Sequence, residues 1–115
     1  MIPKEELPTC PVETTLSLLN NKWKVLIIRE LLSGTKRFGE IKEGLTNVSQ
    51  KVLTQNLRSM ENDGIIARKV FAEVPPRVEY SITELGDTLK PIIKSMEEWG
   101  LVYQELKADS SSNLE

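Results

Sequence analysis

At 115 residues and 13.0 kDa, with 39% hydrophobic and 28% charged residues, the chain suits one soluble domain with one modest core. A single Cys and no His exclude an internal disulfide, a Ser-His-Asp triad and an imidazole base and leave no ligand set for zinc; no Gly-rich phosphate loop or tight carboxylate pair replaces them, so no enzyme, metal or cofactor is expected. The net charge of −2, taken whole, argues against a nucleic-acid partner, yet from Lys36 to Arg77 eight basic residues stand against five acidic ones, and the acidic excess lies in the rest of the chain.

Two Trp, two Tyr and two Phe leave most burial to Leu, Ile and Val, which suits helices. No apolar run of about 18 residues could span a membrane, and the opening MIPKEE lacks the basic-then-apolar order of a signal peptide, so a cytoplasmic location is expected. Residues 1–9 carry two prolines and no periodicity and read as an arm. Cys10-Pro11 opens a helix, since Pro is favoured at the first helical position, and Val12, Leu16 and Leu19 follow at helical spacing. Asn20-Asn21 breaks it and caps the next helix, KWKVLIIRELL, in which Trp23, Leu26, Ile27, Ile28, Leu31 and Leu32 form a wide apolar face. This is the expected central helix, with Trp23 as an anchor rather than a ligand-stacking residue.

After Ser33-Gly34, Thr35-Lys36-Arg37 is long enough only for a strand stub, and Phe38, Ile41 and Leu45 have the spacing of a two-turn helix. A turn at Thr46-Asn47-Val48 leads to Ser49–Gly64, a helix marked at both ends by a capping Ser and a closing Gly. Leu53, Leu57 and Met60, with Val52 beside them, form its apolar stripe; Lys51, Thr54, Gln55 and Arg58 lie on the other side, and Glu61 and Asp63 wait until the last turn, away from any ligand. Amide, hydroxyl, ammonium and guanidinium groups are those that bond base edges and phosphates in a major groove, so this reads as a DNA-reading helix; the alternative is a solvated face.

The period then changes to two. Ile66 to Glu73 and Val78 to Ile82 alternate as strands, joined by Val74-Pro75-Pro76-Arg77, whose prolines belong at a hairpin tip with Arg77 projecting into solvent or onto phosphate. Helix, turn, helix and hairpin in this order make a winged helix-turn-helix, mainly α with a small β-hairpin wing. From Thr83, as N-cap, the chain reads as helical to near Lys107. Leu85, Leu89, Ile92, Met96, Trp99, Tyr103 and Leu106 step by four and three as a heptad seam, with a kink or a break into two helices expected at Pro91. Such a helix outreaches a domain this small, so part of the seam should meet another copy; the alternative packs all of it on the chain's own wing and first helix. One domain, 10–107, is therefore expected to end in a polar disordered tail, 108–115.

These elements and their residues resemble the HxlR-type winged-helix transcriptional regulators of bacteria. The resemblance is carried by Cys10-Pro11-Val12-Glu13, Lys22-Trp23-Lys24, Arg29-Glu30-Leu31, Arg37-Phe38 and Glu40-Ile41, by Ser49 to Gln55 with Leu57-Arg58 and Glu61-Asp63-Gly64, and by Val74 to Tyr80 and Thr83-Glu84-Leu85-Gly86. It implies a homodimer whose terminal helices pair and whose reading helices enter successive major grooves of an imperfect palindrome. It also implies, for some members, sensing of oxidants or electrophiles through a cysteine at the position of Cys10. Asn20-Asn21 departs from the small or Gly residues of many relatives, a change expected to touch no reading residue. The absence of a second Cys excludes switching by two different cysteines.

The expected DNA contacts are Ser49, Gln50, Lys51, Thr54, Gln55 and Arg58 of the reading helix, Lys36 and Arg37 before it, and Lys69 and Arg77 of the wing, acting on double-stranded DNA. The expected dimer contacts are Leu16, Ile92, Met96, Trp99, Tyr103 and Leu106. Cys10 is the candidate sensor. As the cap of its helix its sulfur would sit by unpaired N–H groups that favour thiolate, while Glu13 and burial under the arm would oppose it, and a small unreactive filler is the other reading. No small-molecule effector is named by the residues. The rival function is a winged-helix module that binds protein without reading DNA.

Overall fold

The computed structural model describes the backbone of residues 1–113 and the side chains of residues 1–107. After an arm holding one 3-10 turn at Lys4–Glu6 come α1 (Pro11–Leu18), α2 (Lys22–Leu32), α3 (Phe38–Gly44), α4 (Gln50–Asn62), β1 (Ile66–Phe71), β2 (Arg77–Ile82), α5 (Glu84–Asp87) and α6 (Lys90–Asn113).

α2 starts where Asn21 accepts the Lys24 N–H at 3.1 Å, and it buries Ile27, Ile28 and Leu31 at the centre of the core. Ile41 of α3, Leu53, Leu57 and Met60 of α4, and Ile66 of β1 join that core. α3 opens with the Arg37 N–H donating to the Glu40 carboxylate at 2.9 Å, and the turn beyond it places Asn47 at φ 64°, a conformation Asn tolerates better than most residues. α4 opens with Ser49 accepting the Val52 N–H at 3.2 Å; it closes at Gly64, whose φ of 79° lets the Ile65 N–H reach back to the Met60 carbonyl at 3.0 Å. The expected short helix, turn and capped second helix are all present.

β1 and β2 pair antiparallel, with Ile66 opposite Ile82 and Phe71 opposite Arg77. Lys36 makes an isolated antiparallel bridge to β2: its N–H donates to the Tyr80 carbonyl at 2.9 Å and its carbonyl accepts the Tyr80 N–H at 2.7 Å, which is the strand stub the sequence allows. The hairpin returns to the core through Thr83, whose hydroxyl donates to the Gly64 carbonyl at 2.6 Å and accepts the Gly86 N–H at 3.0 Å. Gly86 is required here, since a Cβ would fall 2.2 Å from the Ile65 carbonyl oxygen.

Between kink and break at Pro91, the structure shows a break: α5 ends at Asp87 and α6 starts at Lys90. Proline lacks an N–H and its ring clashes with the carbonyl four residues back, so it sits in the first turn of a new helix, where that N–H is unpaired in any case. The Thr83 cap thus belongs to α5, and Leu85 and Leu89, which precede α6, leave the seam. At the other end α6 continues to Asn113, through most of the expected tail. Once a helix is nucleated, adding residues is cheap, and Ala108, Asp109 and Ser110–Ser112 include no Gly or Pro to stop it. Leu114 and Glu115 lie outside the described residues.

α6 touches the rest of the domain near its start. Ile93, 8% exposed, is its buried residue, packed toward Val25 and Leu26 of α2. Beyond that point the helix runs on without covering core, and the radius of gyration is 17.0 Å, against about 13 Å for a compact chain of this length.

Candidate nucleic-acid interface

The two sides of α4 do different work. Its inner side packs the core and also carries polar groups that tie it to α2. Asn56 is buried, donating to the Val52 carbonyl at 2.9 Å and accepting from the Asn21 side chain at 3.0 Å. Lys24, only 5% exposed, donates to the Ser59 hydroxyl at 3.0 Å. A buried ammonium is tolerated only with such a partner, so this pair helps hold the angle of α4. Asn21 thus touches none of the expected reading residues, but through Asn56 it braces α4 from behind. The two contacts between α4 and α2 are not visible from spacing alone, because their partners lie 35 residues apart.

The outer side presents Gln50, Lys51, Gln55 and Arg58 as exposed residues, with Thr54 half-buried at its edge. Ser49 is exposed too, but its oxygen is engaged as the helix cap. Arg37 is exposed at the start of α3, and it makes no ion pair among the described residues. Lys36 differs from expectation: its ammonium lies 3.3 Å from the Glu30 carboxylate, in a half-buried pair that turns it toward α2. Its backbone rung to Tyr80 fixes the residue against the sheet, where Glu30 is the near anion.

The wing also departs from expectation. Arg77 does not project from the tip. Its guanidinium stacks 4.0 Å from the Phe71 ring centre, its cross-strand neighbour, and lies 3.3 Å from both Glu73 and Glu79. Cation–ring attraction and two carboxylates outweigh free solvation of the charge. Its Nε, though near Glu79, is not aligned for a hydrogen bond. Lys69 is exposed on the wing, its ammonium 4.9 Å from the Phe71 ring centre, and makes no ion pair among the described residues.

Between α4 and the wing lies a cleft of about 220 Å³ lined by Thr54, Leu57, Arg58, Glu61, Arg68 and Tyr80. Arg68 Nε donates to both Glu61 oxygens, at 3.4 and 3.3 Å. Burial pushes the Tyr80 phenol above its ordinary range, against the lowering effect of Arg68; Glu61 raises it further and Arg58 lowers it, and the net direction is upward. It is therefore a neutral hydroxyl at physiological pH. Arg68, Glu61 and Tyr80 were absent from the expected site. The cross-strand pairing of Arg68 with Tyr80 is the signal that could have joined two of them, but it requires the register.

α1 buries no residue, and Val12 and Leu16 stand exposed. Along α6, Ile92, Met96, Trp99, Tyr103 and Leu106 are all exposed, Trp99 at 67%, with the Trp99 and Tyr103 rings stacked 5.6 Å apart. Val102 extends this face. Ile93 lies about 100° around the helix from Ile92, so the stripe that anchors α6 to the core and the heptad seam are two different faces. The alternative in which the seam packs on the chain's own wing and first helix is not what the structure shows. Cys10 occupies the N-cap of α1 and is exposed, rather than buried beneath the arm. Among the described residues no helix is long and apolar enough to cross a membrane, and no cluster of metal-binding side chains occurs.

The model of HxlR-like helix-turn-helix proteins matches residues 18–108. The uncharacterized HTH-type transcriptional regulator YdeP of Bacillus subtilis (strain 168) is 45% identical over 101 residues, 88% of this chain and 79% of that protein. The redox regulator HypR in its oxidized form is 46% identical with a TM-score of 0.77, over 81% of this chain and 96% of that one. The reduced form of the transcriptional regulator YodB from B. subtilis is 40% identical with a TM-score of 0.70, over 80% of this chain and 91% of that one. The chain belongs to the HxlR-like helix-turn-helix family and is a transcriptional regulator of the helix-turn-helix type.

Proposed function

We propose that the chain acts as a homodimer on a two-fold operator in the cytoplasm, each α4 entering a major groove and each wing resting on the adjoining backbone. The observation that carries this reading is the outer face of α4, which exposes Gln50, Lys51, Gln55 and Arg58 with no acidic residue among them. These groups offer the donors and acceptors that base edges and phosphates take. The dimer is supported by the exposed stripe from Ile92 to Leu106, with exposed Leu16 of α1 as a candidate contributor; an apolar patch of this kind marks an interface. Two reading helices about 34 Å apart would then meet successive turns of one DNA face. The discriminating experiment is salt titration of binding to duplexes selected from a random pool. DNA reading predicts log-linear weakening with a slope near −0.9 per neutralised phosphate, whereas a protein-binding module would select no duplex and show no such slope.

A second reading concerns Cys10. Its exposed sulfur at the first turn of α1 supports a thiol-based response, and the resemblance to the redox regulator HypR favours it. In a dimer the two Cys10 thiols would join by giving two electrons and two protons to an oxidant such as diamide, moving α1 and with it the spacing of the two α4 helices.

A further inference from the structure

The cleft between α4 and the wing holds two guanidinium groups, two hydroxyls and one carboxylate. We propose that it is a seat for one backbone phosphate of bound DNA, which Glu61 fills until the DNA displaces it; this rests on the DNA-binding reading above. Glu61 presents two oxygens to Arg68 through Nε alone, at 3.3 and 3.4 Å. A phosphate can take the same guanidinium through two parallel bonds, a stronger arrangement than the shared one seen here.

Three features fit an exchangeable occupant. Both partners of the Arg68–Glu61 pair remain substantially exposed, so water screens the pair and little is lost when it opens. Tyr80 stays protonated and makes no side-chain hydrogen bond among the described residues, which leaves a donor in the cleft wall. Thr54 and Arg58 reach the same cleft from the outer edge of α4, so a phosphate seated there would lie beside the groups that face the bases. Arg77 offers a contrast, since its two carboxylates and the Phe71 ring hold it against the sheet.

The test measures fluorescence anisotropy of the selected duplex and a scrambled one across a salt series, with wild type, Glu61→Gln, Arg68→Ala, the double variant and Tyr80→Phe; circular dichroism melting confirms that each is folded. Glu61→Gln should tighten binding to both duplexes about threefold. Arg68→Ala should weaken it about tenfold and reduce the salt slope by about 0.9. In the Arg68→Ala background the Glu61→Gln gain should vanish, and Tyr80→Phe should weaken wild type severalfold while leaving the Arg68→Ala protein unchanged. An equal Glu61→Gln gain with and without Arg68 would show a general charge effect and overturn the proposal. So would an Arg68→Ala protein with wild-type slope. Wild type that binds neither duplex in a salt-dependent way would instead overturn the DNA reading, and the proposal with it.

Discussion

α4 and α6 are both amphipathic, but only α4 is finished within one chain. Its apolar stripe of Leu53, Leu57 and Met60 is buried, and what it exposes is polar. α6 buries Ile93 and exposes Ile92, Met96, Trp99, Tyr103 and Leu106. The first helix leaves a polar surface in water when folding is complete; the second leaves apolar area there. In the proposed reading the charge and amide groups meet a polyanion, and the uncovered heptad seam meets a second helix of the same kind.

The largest expected effect comes from breaking the second surface. Trp99→Glu should give monomers by light scattering and reduce operator affinity by about 10²-fold or more, because each chain then engages one half-site without the gain of linked binding. Ile93→Ala sharpens the contrast between the two faces of α6. It should lower chain stability by about 2 kcal/mol in denaturant melts, as a buried aliphatic removed from a core, while Trp99→Ala should affect assembly far more than protomer stability. On α4, Gln55→Ala and Arg58→Ala should change which bases are preferred, by about 1–3 kcal/mol at the position each reads. Lys69→Ala should weaken all duplexes alike. Equal losses on cognate and scrambled DNA for Arg58→Ala would assign Arg58 to phosphate instead. Asn21→Ala should have the smallest effect, about 1 kcal/mol of stability from the lost cap, with some loss of operator preference as α4 loses its brace to Asn56.

Local pattern carried the helices, the hairpin and their caps: Asn21, Ser49 and Thr83 all accept the N–H groups their sequence positions imply. Periodicity also separated the outer face of α4 from its core stripe, and the heptad predicted which side of α6 stays uncovered. It did not predict that Ile93 anchors that helix, because the residue lies off the seam and its burial depends on where α2 passes. The same limit applies to charge. Lys36, Arg68 and Arg77 read as free cations in a list, yet each has a carboxylate partner, supplied by Glu30, Glu61 and the Glu73–Glu79 pair. In the pattern of α4 Glu61 is only an acid of the last turn, but the hairpin folds back to bring Arg68 and Tyr80 to it. Such pairings are decided by distances between elements, which no single element's pattern contains.

Mass measurement of the protein alone and bound to its selected duplex, by light scattering across a salt series, tests the dimeric DNA reader most directly. The expected result is a dimer at micromolar concentration that binds one two-fold duplex as two protomers and dissociates log-linearly as salt rises. A monomer that binds no duplex, or binds with no dependence on salt, would contradict it.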